Sequence, residues 1–358
     1  MSANERIALG FIGAGSIGNV HMHIFSQIPD VALVGVADVS RPLAEERARQ
    51  HGIERVYASP DELLADDAID AVVIGVPNKY HAPLAIKALE EGKHVLLEKP
   101  MAHELEAARA IVRAQRAAGT VLMIPHQMRW GWAARQVKEQ IEKGALGRIY
   151  HAKTGWMRRK GIPGWGTWFT RKSESGGGPL IDIGVHMLDL TLYLMGNPKP
   201  VSVFGATYAE FGPRKRGIGT WGKPDWNGIF DVEDLATALI RLEDGSTISL
   251  DVSWAVHGEF EGGGGYVHLM GSEGGAALRG DQGTLYAELF DRPVQAALTP
   301  PKAVDDPRLL MARHFIECVR EGKEPISSAM TGFVNNLVLD GIYRSAQSGT
   351  AVTLDWSI

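Results

Sequence analysis

A single cysteine, Cys318, in 358 residues excludes an internal disulfide framework and a multi-cysteine metal site. Its surroundings, Ala312–Val319, carry a helix-like pattern, which makes it a small core residue. No apolar run is long enough to span a bilayer. The opening Met1-Ser2-Ala3-Asn4-Glu5-Arg6 has no cationic segment leading into a long apolar one. A secretory leader is therefore not expected, and the cytoplasm is the expected compartment. Basic blocks are missing too: 37 Lys and Arg stand against 42 Asp and Glu, a formal charge of −5. That balance argues against a nucleic acid or an anionic membrane as partner. His21 and His23 fall on different faces of one helix pattern, and no H-E-x-x-H set exists, so no metal is expected.

What remains is ordinary for a globular enzyme: 45% hydrophobic residues, 22% charged and 42 glycines. The length predicts two domains. Up to about residue 126, short buried strands (Ile7–Ile12, Val31–Ala37, Ala71–Val76, Val95–Leu97, Val121–Ile124) alternate with helical stretches (Ile17–Gln27, Pro42–His51, Pro60–Ala65, Pro83–Glu91, Glu104–Ala118). Such alternation predicts a doubly wound parallel sheet, an α/β Rossmann domain over 1–127. From 128 to 358 the pattern changes. An amphipathic Trp132–Lys143 precedes long alternating strands at Ile149–Trp156, Val201–Phe211, Leu235–Leu242, Thr247–Trp254 and Tyr266–Met270, and helices close the chain at Pro307–Arg320 and Met330–Ser348. This predicts an α+β domain with a large, mostly antiparallel, open-faced sheet. The uncovered face must find a cover, and self-association into a dimer or tetramer is the simplest one. Gly258–Gly265 reads as a flexible loop.

Two motifs carry chemistry. Gly13-Ala14-Gly15-Ser16-Ile17-Gly18 follows the first strand and opens a helix, the setting in which glycines and a helix N-terminus receive a pyrophosphate. Asp38 ends the second strand about 20 residues later, where an acid accepts from both ribose hydroxyls and repels a 2′-phosphate. NAD is therefore expected over NADP, although Arg41 stands close enough to meet a 2′-phosphate. The second motif is Gly176-Gly177-Gly178-Pro179-Leu180-Ile181-Asp182-Ile183-Gly184-Val185-His186. In a helix Asp182 and His186 share a face one turn apart, and a carboxylate beside an imidazole is suited to proton transfer. The alternative is an ordinary surface pair.

The glycine fingerprint, Pro77-Asn78-Lys79-Tyr80-His81, Glu98-Lys99-Pro100 and Gly177-Gly178…Asp182…His186 stand in the order seen in the Gfo/Idh/MocA oxidoreductases, which the whole chain resembles. The resemblance implies NAD(P) and a sugar or polyol meeting between a Rossmann domain and an open-faced sheet domain. It implies Lys99, Asp182 and His186 as the catalytic and substrate-holding group. It sets Pro77, Asn78, His81, Glu98 and Lys99 on the cofactor side, with a Lys99–Pro100 bond that is often cis. Where many relatives read Asn-Arg-Phe, this chain has His126-Gln127-Met128-Arg129-Trp130, with Arg129 as a substrate contact. Arg158-Arg159-Lys160-Gly161-Ile162-Pro163-Gly164-Trp165-Gly166 resembles the branch that holds bacterial glucoside 3-dehydrogenases. Arg158 then binds a sugar hydroxyl, and Trp165 either stacks on a sugar ring or anchors its loop. His186 is the expected base and Lys99 the donor to the reacting oxygen, or Lys99 takes the proton itself. Three other outcomes fit the same residues: an inositol or polyol dehydrogenase, a cofactor-binding homologue without turnover, and a glycosidase that uses the cofactor transiently.

Overall fold

The computed structural model describes residues 6–258 and 264–358, so part of the Gly258–Gly265 loop lies outside the described residues. The chain divides into two units. The first spans the residues to Pro125, with Arg308–Phe333 and Ile358, and the second spans His126–Pro307 and Val334–Ser357.

In the first unit β1 (Ile7–Ile12), α1 (Ser16–Phe25), β2 (Val31–Ala37), α2 (Arg41–His51), β3 (Arg55–Val56), α3 (Pro60–Leu64), β4 (Ala71–Ile74), α4 (His81–Glu90), β5 (His94–Leu97), α5 (Leu105–Ala118) and β6 (Leu122–Met123) follow one another. The six strands pair in parallel in the order β3-β2-β1-β4-β5-β6. Strands covered on both faces have no polar side, which is why Ala71–Ile74 and His94–Leu97 read as near-continuous apolar runs. The order reverses between β1 and β4, so the loops after these strands flank the position where doubly wound sheets bind ligands.

The second unit holds α6 (Trp132–Glu142), β7 (Ile149–Met157), α7 (Lys172–Ser175), a π-helical turn at Leu180–Gly184 that runs straight into α8 (Val185–Leu194), β8 (Pro200–Tyr208), β9 (Leu235–Leu242), β10 (Thr247–Ser253), β11 (Gly265–Gly271), β12 (Gly275–Arg279), β13 (Gln282–Leu289) and β14 (Arg292–Leu298). Next come α9 (Pro307–Glu321), α10 (Ala329–Ser348) and β15 (Val352–Thr353). Nine strands form one sheet, β14-β13-β12-β11-β7-β10-β9-β8-β15, antiparallel except for the β10–β7 pair. α6, α8 and the later part of α10 pack on one face. The other face leaves the cross-strand partners Phe204 and Leu239 52% and 49% exposed.

The division differs from a single break after residue 127 because α9 belongs with the first unit. Phe315 meets Phe25 edge-on at 6.3 Å, Arg320 pairs with Asp30, and Ser327 Oγ donates to the Ile124 carbonyl. Its buried face (Met311, Ala312, Phe315, Ile316, Cys318, Val319) is thereby covered, and Cys318 is the core residue its pattern predicts.

Candidate active site

Each glycine of the first-unit fingerprint answers to a different neighbour. Gly13 has φ +103°, and a Cβ there would overlap the Gly75 carbonyl. At Gly18 a Cβ would overlap the carbonyl oxygen of Gly13, so this glycine lets α1 close onto the strand. Gly15 is different: a Cβ would meet no protein atom within 4 Å. No described protein atom crowds that position, which leaves room for a ligand to approach the backbone. Ser16 starts α1, its first turn carries no acid, and Ile17 is 37% exposed beside it. That helix end suits an anion.

Asp38 lies where expected, and its carboxylate also shapes the loop. Oδ2 accepts from Ala14 N at 2.7 Å and Oδ1 from Ser40 N at 2.7 Å. Arg41 sits on α2 and is engaged by Glu45 at 3.0 Å. The open Gly15, the acid-free helix start and the carboxylate at the end of β2 fit a dinucleotide with free ribose hydroxyls.

After β4, Pro77 leads into the short Asn78–Tyr80 turn, and Asn78 is buried. His81, expected to line the cofactor, turns both ring nitrogens to backbone carbonyls: Nδ1 lies 2.8 Å from Pro100 O and Nε2 lies 2.9 Å from Val76 O. It ties the end of β4 to the segment that carries Lys99, and burial pushes its pKa down. Glu98 likewise faces inward. Its Oε1 contacts His21 Nε2 at 2.8 Å and its Oε2 accepts from Lys99 N at 3.0 Å. Burial alone would raise the Glu98 pKa. The His21 hydrogen bond and charge, with Lys99, outweigh that and bring it down to about 2. Lys99 is half-buried at the C-terminal end of β5, and its bond to Pro100 is cis.

In the second unit Asp182 stands on the π-helical turn and His186 in the first turn of α8. They are not on one regular α-helix, as the sequence suggested, because the turn at Leu180–Gly184 is wider. Glu233 explains how that turn is held. Buried, it accepts from the backbone N–H of Gly178 at 3.0 Å and of Leu180 at 3.1 Å, and Tyr343 Oη donates to it at 2.9 Å. A Cβ at Gly177 would overlap the Tyr343 hydroxyl and one at Gly178 the Glu233 carbonyl, so the glycines exist for close approach. Burial raises the Glu233 pKa against those donors.

Asp182 Oδ2 accepts from Trp254 Nε1 at 3.0 Å. Arg158 stacks on Trp156 with 4.7 Å to the ring centroid, next to Asp182. Burial lowers the guanidinium pKa, and the Asp182 carboxylate opposes that fall. Arg158 thus lies within electrostatic reach of Asp182, and His186 follows one turn further along the same helical segment.

Arg129 and Trp165 are held elsewhere. Arg129 makes a bidentate pair with Asp189, Nε to Oδ2 at 2.8 Å and Nη2 to Oδ1 at 2.6 Å, and both side chains are 1% exposed. The guanidinium is thus engaged with Asp189 within the second unit and supports α8 there. Asn335 Nδ2 donates to Asp189 at 3.2 Å and contacts His126 Nε2 at 3.1 Å, and the His126 ring meets His186 edge-on at 6.3 Å. Burial alone would raise the Asp189 pKa, but Arg129 and His126 hold it below the usual range. Trp165 is 4% exposed, donates to Gly212 O at 2.7 Å and stacks with Trp226 and Phe230. Of its two readings, the loop anchor is the one this burial fits.

Sequence reasoning missed Asp189, Glu233 and Trp254. Asp189 had a signal, as the only charged carboxylate in the apolar Val185–Leu194 helix, where an unpaired acid is costly. Glu233 and Trp254 had none, because their partners lie 55 and 72 residues away.

A parallel six-stranded sheet with a glycine cradle at its switch point, followed by a second unit with an acid and an imidazole one turn apart, fits a dinucleotide-dependent oxidoreductase. Residues 7–126 match the model of the "Oxidoreductase family, NAD-binding Rossmann fold" and residues 134–277 that of the "GFO/IDH/MocA C-terminal domain". The chain belongs to the Gfo/Idh/MocA oxidoreductase family, and its first unit is an NAD-binding domain. It is 33% identical over 356 residues to a D-glucoside 3-dehydrogenase of Escherichia coli (strain K12), covering 99% of this chain and 98% of that one. It is 28% identical to a scyllo-inositol 2-dehydrogenase (NAD(+)) of Bacillus subtilis (strain 168), covering 98% and 97%. Among solved structures, levoglucosan dehydrogenase in complex with NADH and levoglucosan superposes with a TM-score of 0.88 at 25% identity, covering 98% of this chain and 100% of that one. Among the described residues no helix is long and apolar enough to cross a membrane, and no group of three or more His, Cys, Asp or Glu could hold a metal ion.

Proposed function

We propose that the chain is an NAD-dependent dehydrogenase of a sugar or glucoside, converting a secondary hydroxyl, at carbon 3, to a ketone. The observation that carries this reading is Asp182, within electrostatic reach of Arg158 and one turn before His186, on a turn that the Gly177-Gly178 pair and Glu233 hold in shape. Similarity to a D-glucoside 3-dehydrogenase over 99% of the chain supports the substrate class and the position.

Oxidation removes a hydride from carbon and a proton from oxygen. Bound NAD supplies the hydride acceptor. His186 takes the hydroxyl proton on a ring nitrogen, because an imidazole titrates near working pH. Asp182 orients that ring or receives a neighbouring hydroxyl, and Arg158 donates to a second one. Lys99 donates to the reacting oxygen and stabilises the charge that grows there. Lys99→Ala and His186→Ala should each lower kcat by about a hundredfold or more while NAD affinity stays near wild type. Unchanged turnover in both variants would remove the assignment.

An inositol dehydrogenase is the second reading, supported by the 28% identity to a scyllo-inositol 2-dehydrogenase. The exposed Phe204–Leu239 pair on the open sheet face supports self-association there. Light scattering that reports a monomer would overturn it.

A further inference from the structure

Among the described residues Trp254 is the bulkiest fully buried side chain, and its indole N–H, a donor only, is given to Asp182 Oδ2 at 3.0 Å. Its backbone is fixed as well, since Trp254 N donates to the Asp234 carbonyl at 3.0 Å. The next residue back along the chain, Glu233, holds Gly178 and Leu180. One short segment, Glu233-Asp234, thus fixes both the turn that carries Asp182 and the donor that meets its carboxylate. We propose that Trp254 is a positioning residue for turnover: its N–H selects the ionised form of Asp182 and fixes the orientation of that carboxylate, one turn ahead of His186. This rests on the reading of Asp182 and His186 as the proton-handling pair.

Arg158, just past β7, also favours the ionised form of Asp182, and His186 stands one turn on. Glu233 lies under the N-terminal end of the same turn, occupied by its own donors. On β10, Val252 packs toward Gly184 of the turn, and Asp251 is taken up by Thr237 at 2.6 Å. On β7, Thr154 bonds toward α8, so Lys153 points to the opposite side of the sheet. The indole N–H is the neutral contact that can be removed without changing any charge in this set.

A hydrogen bond given to the charged form lowers a carboxyl pKa, and losing it raises the pKa. Activity that needs ionised Asp182 then fails at higher pH. Trp254→Phe should raise the pH at which Asp182 takes up a proton by about one unit and lower kcat more than it changes KM for the sugar.

The test needs no turnover in its first arm. The nitrogen-15 spectrum of the indole N–H groups of the full chain is followed from pH 3.5 to 8, and Asp182→Asn identifies the Trp254 signal as the one it displaces. The expected result is a Trp254 signal that Asp182→Asn displaces and whose pH response, where present in wild type, is lost in that variant. If Asp182→Asn displaces no indole signal, the proposal is overturned even if Trp254→Phe does not fold. So does a Trp254→Phe profile that superposes on wild type while Asp182→Asn cripples turnover. If Asp182→Asn leaves turnover intact, the proton-handling reading fails. The role of Trp254 in turnover then falls with it, and the indole titration reports the pairing separately.

Discussion

Replacing Arg129 by methionine should cost about 3–5 kcal/mol of folding stability, the usual penalty for breaking a buried ion pair from one side. Its partner Asp189 is 1% exposed and sits on α8 three residues after His186. Without the guanidinium, the side-chain partners left to that carboxylate among the described residues are Asn335 Nδ2 at 3.2 Å and His126 at 3.4 Å. Two weak contacts do not replace a bidentate cation, so the charge is stranded. The double variant Arg129→Met/Asp189→Leu removes both charges, and an apolar pair of similar volume should recover most of the loss. What it cannot recover is the acceptor of Asn335, about 1–3 kcal/mol. Urea unfolding followed by tryptophan fluorescence and circular dichroism reads the stability of all three proteins, and sugar KM is measured on the same preparations. A stable Arg129→Met whose only defect is a raised KM would refute this reasoning and return Arg129 to the substrate.

Two further outcomes follow from single positions. Gly15→Ala should leave the melting temperature unchanged yet weaken NAD, because the added methyl meets no protein atom, whereas Gly18→Ala should lower stability through its overlap with the Gly13 carbonyl; equal effects from both, by calorimetry and NAD titration, would contradict the assigned roles. Glu98, with its pKa down from 4.5 to about 2, contributes stability that is fully present above pH 4.5 and is lost as pH falls toward 2. The drop corresponds to about 3 kcal/mol, so the stability gap between wild type and Glu98→Gln should shrink across that window. A gap that does not depend on pH would speak against it.

The first unit was largely legible because parallel strands buried on both faces leave unbroken apolar runs; only β3, two residues at Arg55–Val56 with no pattern to read, escaped. The hairpin of β13 and β14 escaped for a different reason. Its turn puts Phe290 and Asp291 at φ +54° and +58°, a left-handed pair without the Asn-Gly or Asp-Gly signal that marks such turns. Gly275-Ala276-Ala277-Leu278-Arg279 is too small-residue-rich to read as a strand. In the site, the glycine cradle was readable since its residues are local in sequence. The pairing of Arg129 escaped because Asp189, 60 residues on, is invisible to spacing. The return of α9 to the first unit escaped for the same reason: helix periodicity shows that a face is apolar, not what covers it.

The most direct test of the central claim is to mix the purified protein with NAD and a panel of glucosides and inositols, follow reduced-cofactor absorbance, and locate any ketone by NMR. The expected result is NADH formation with a 3-keto glucoside as product. Turnover confined to inositols, or NAD binding with no turnover on any member of the panel, would contradict it.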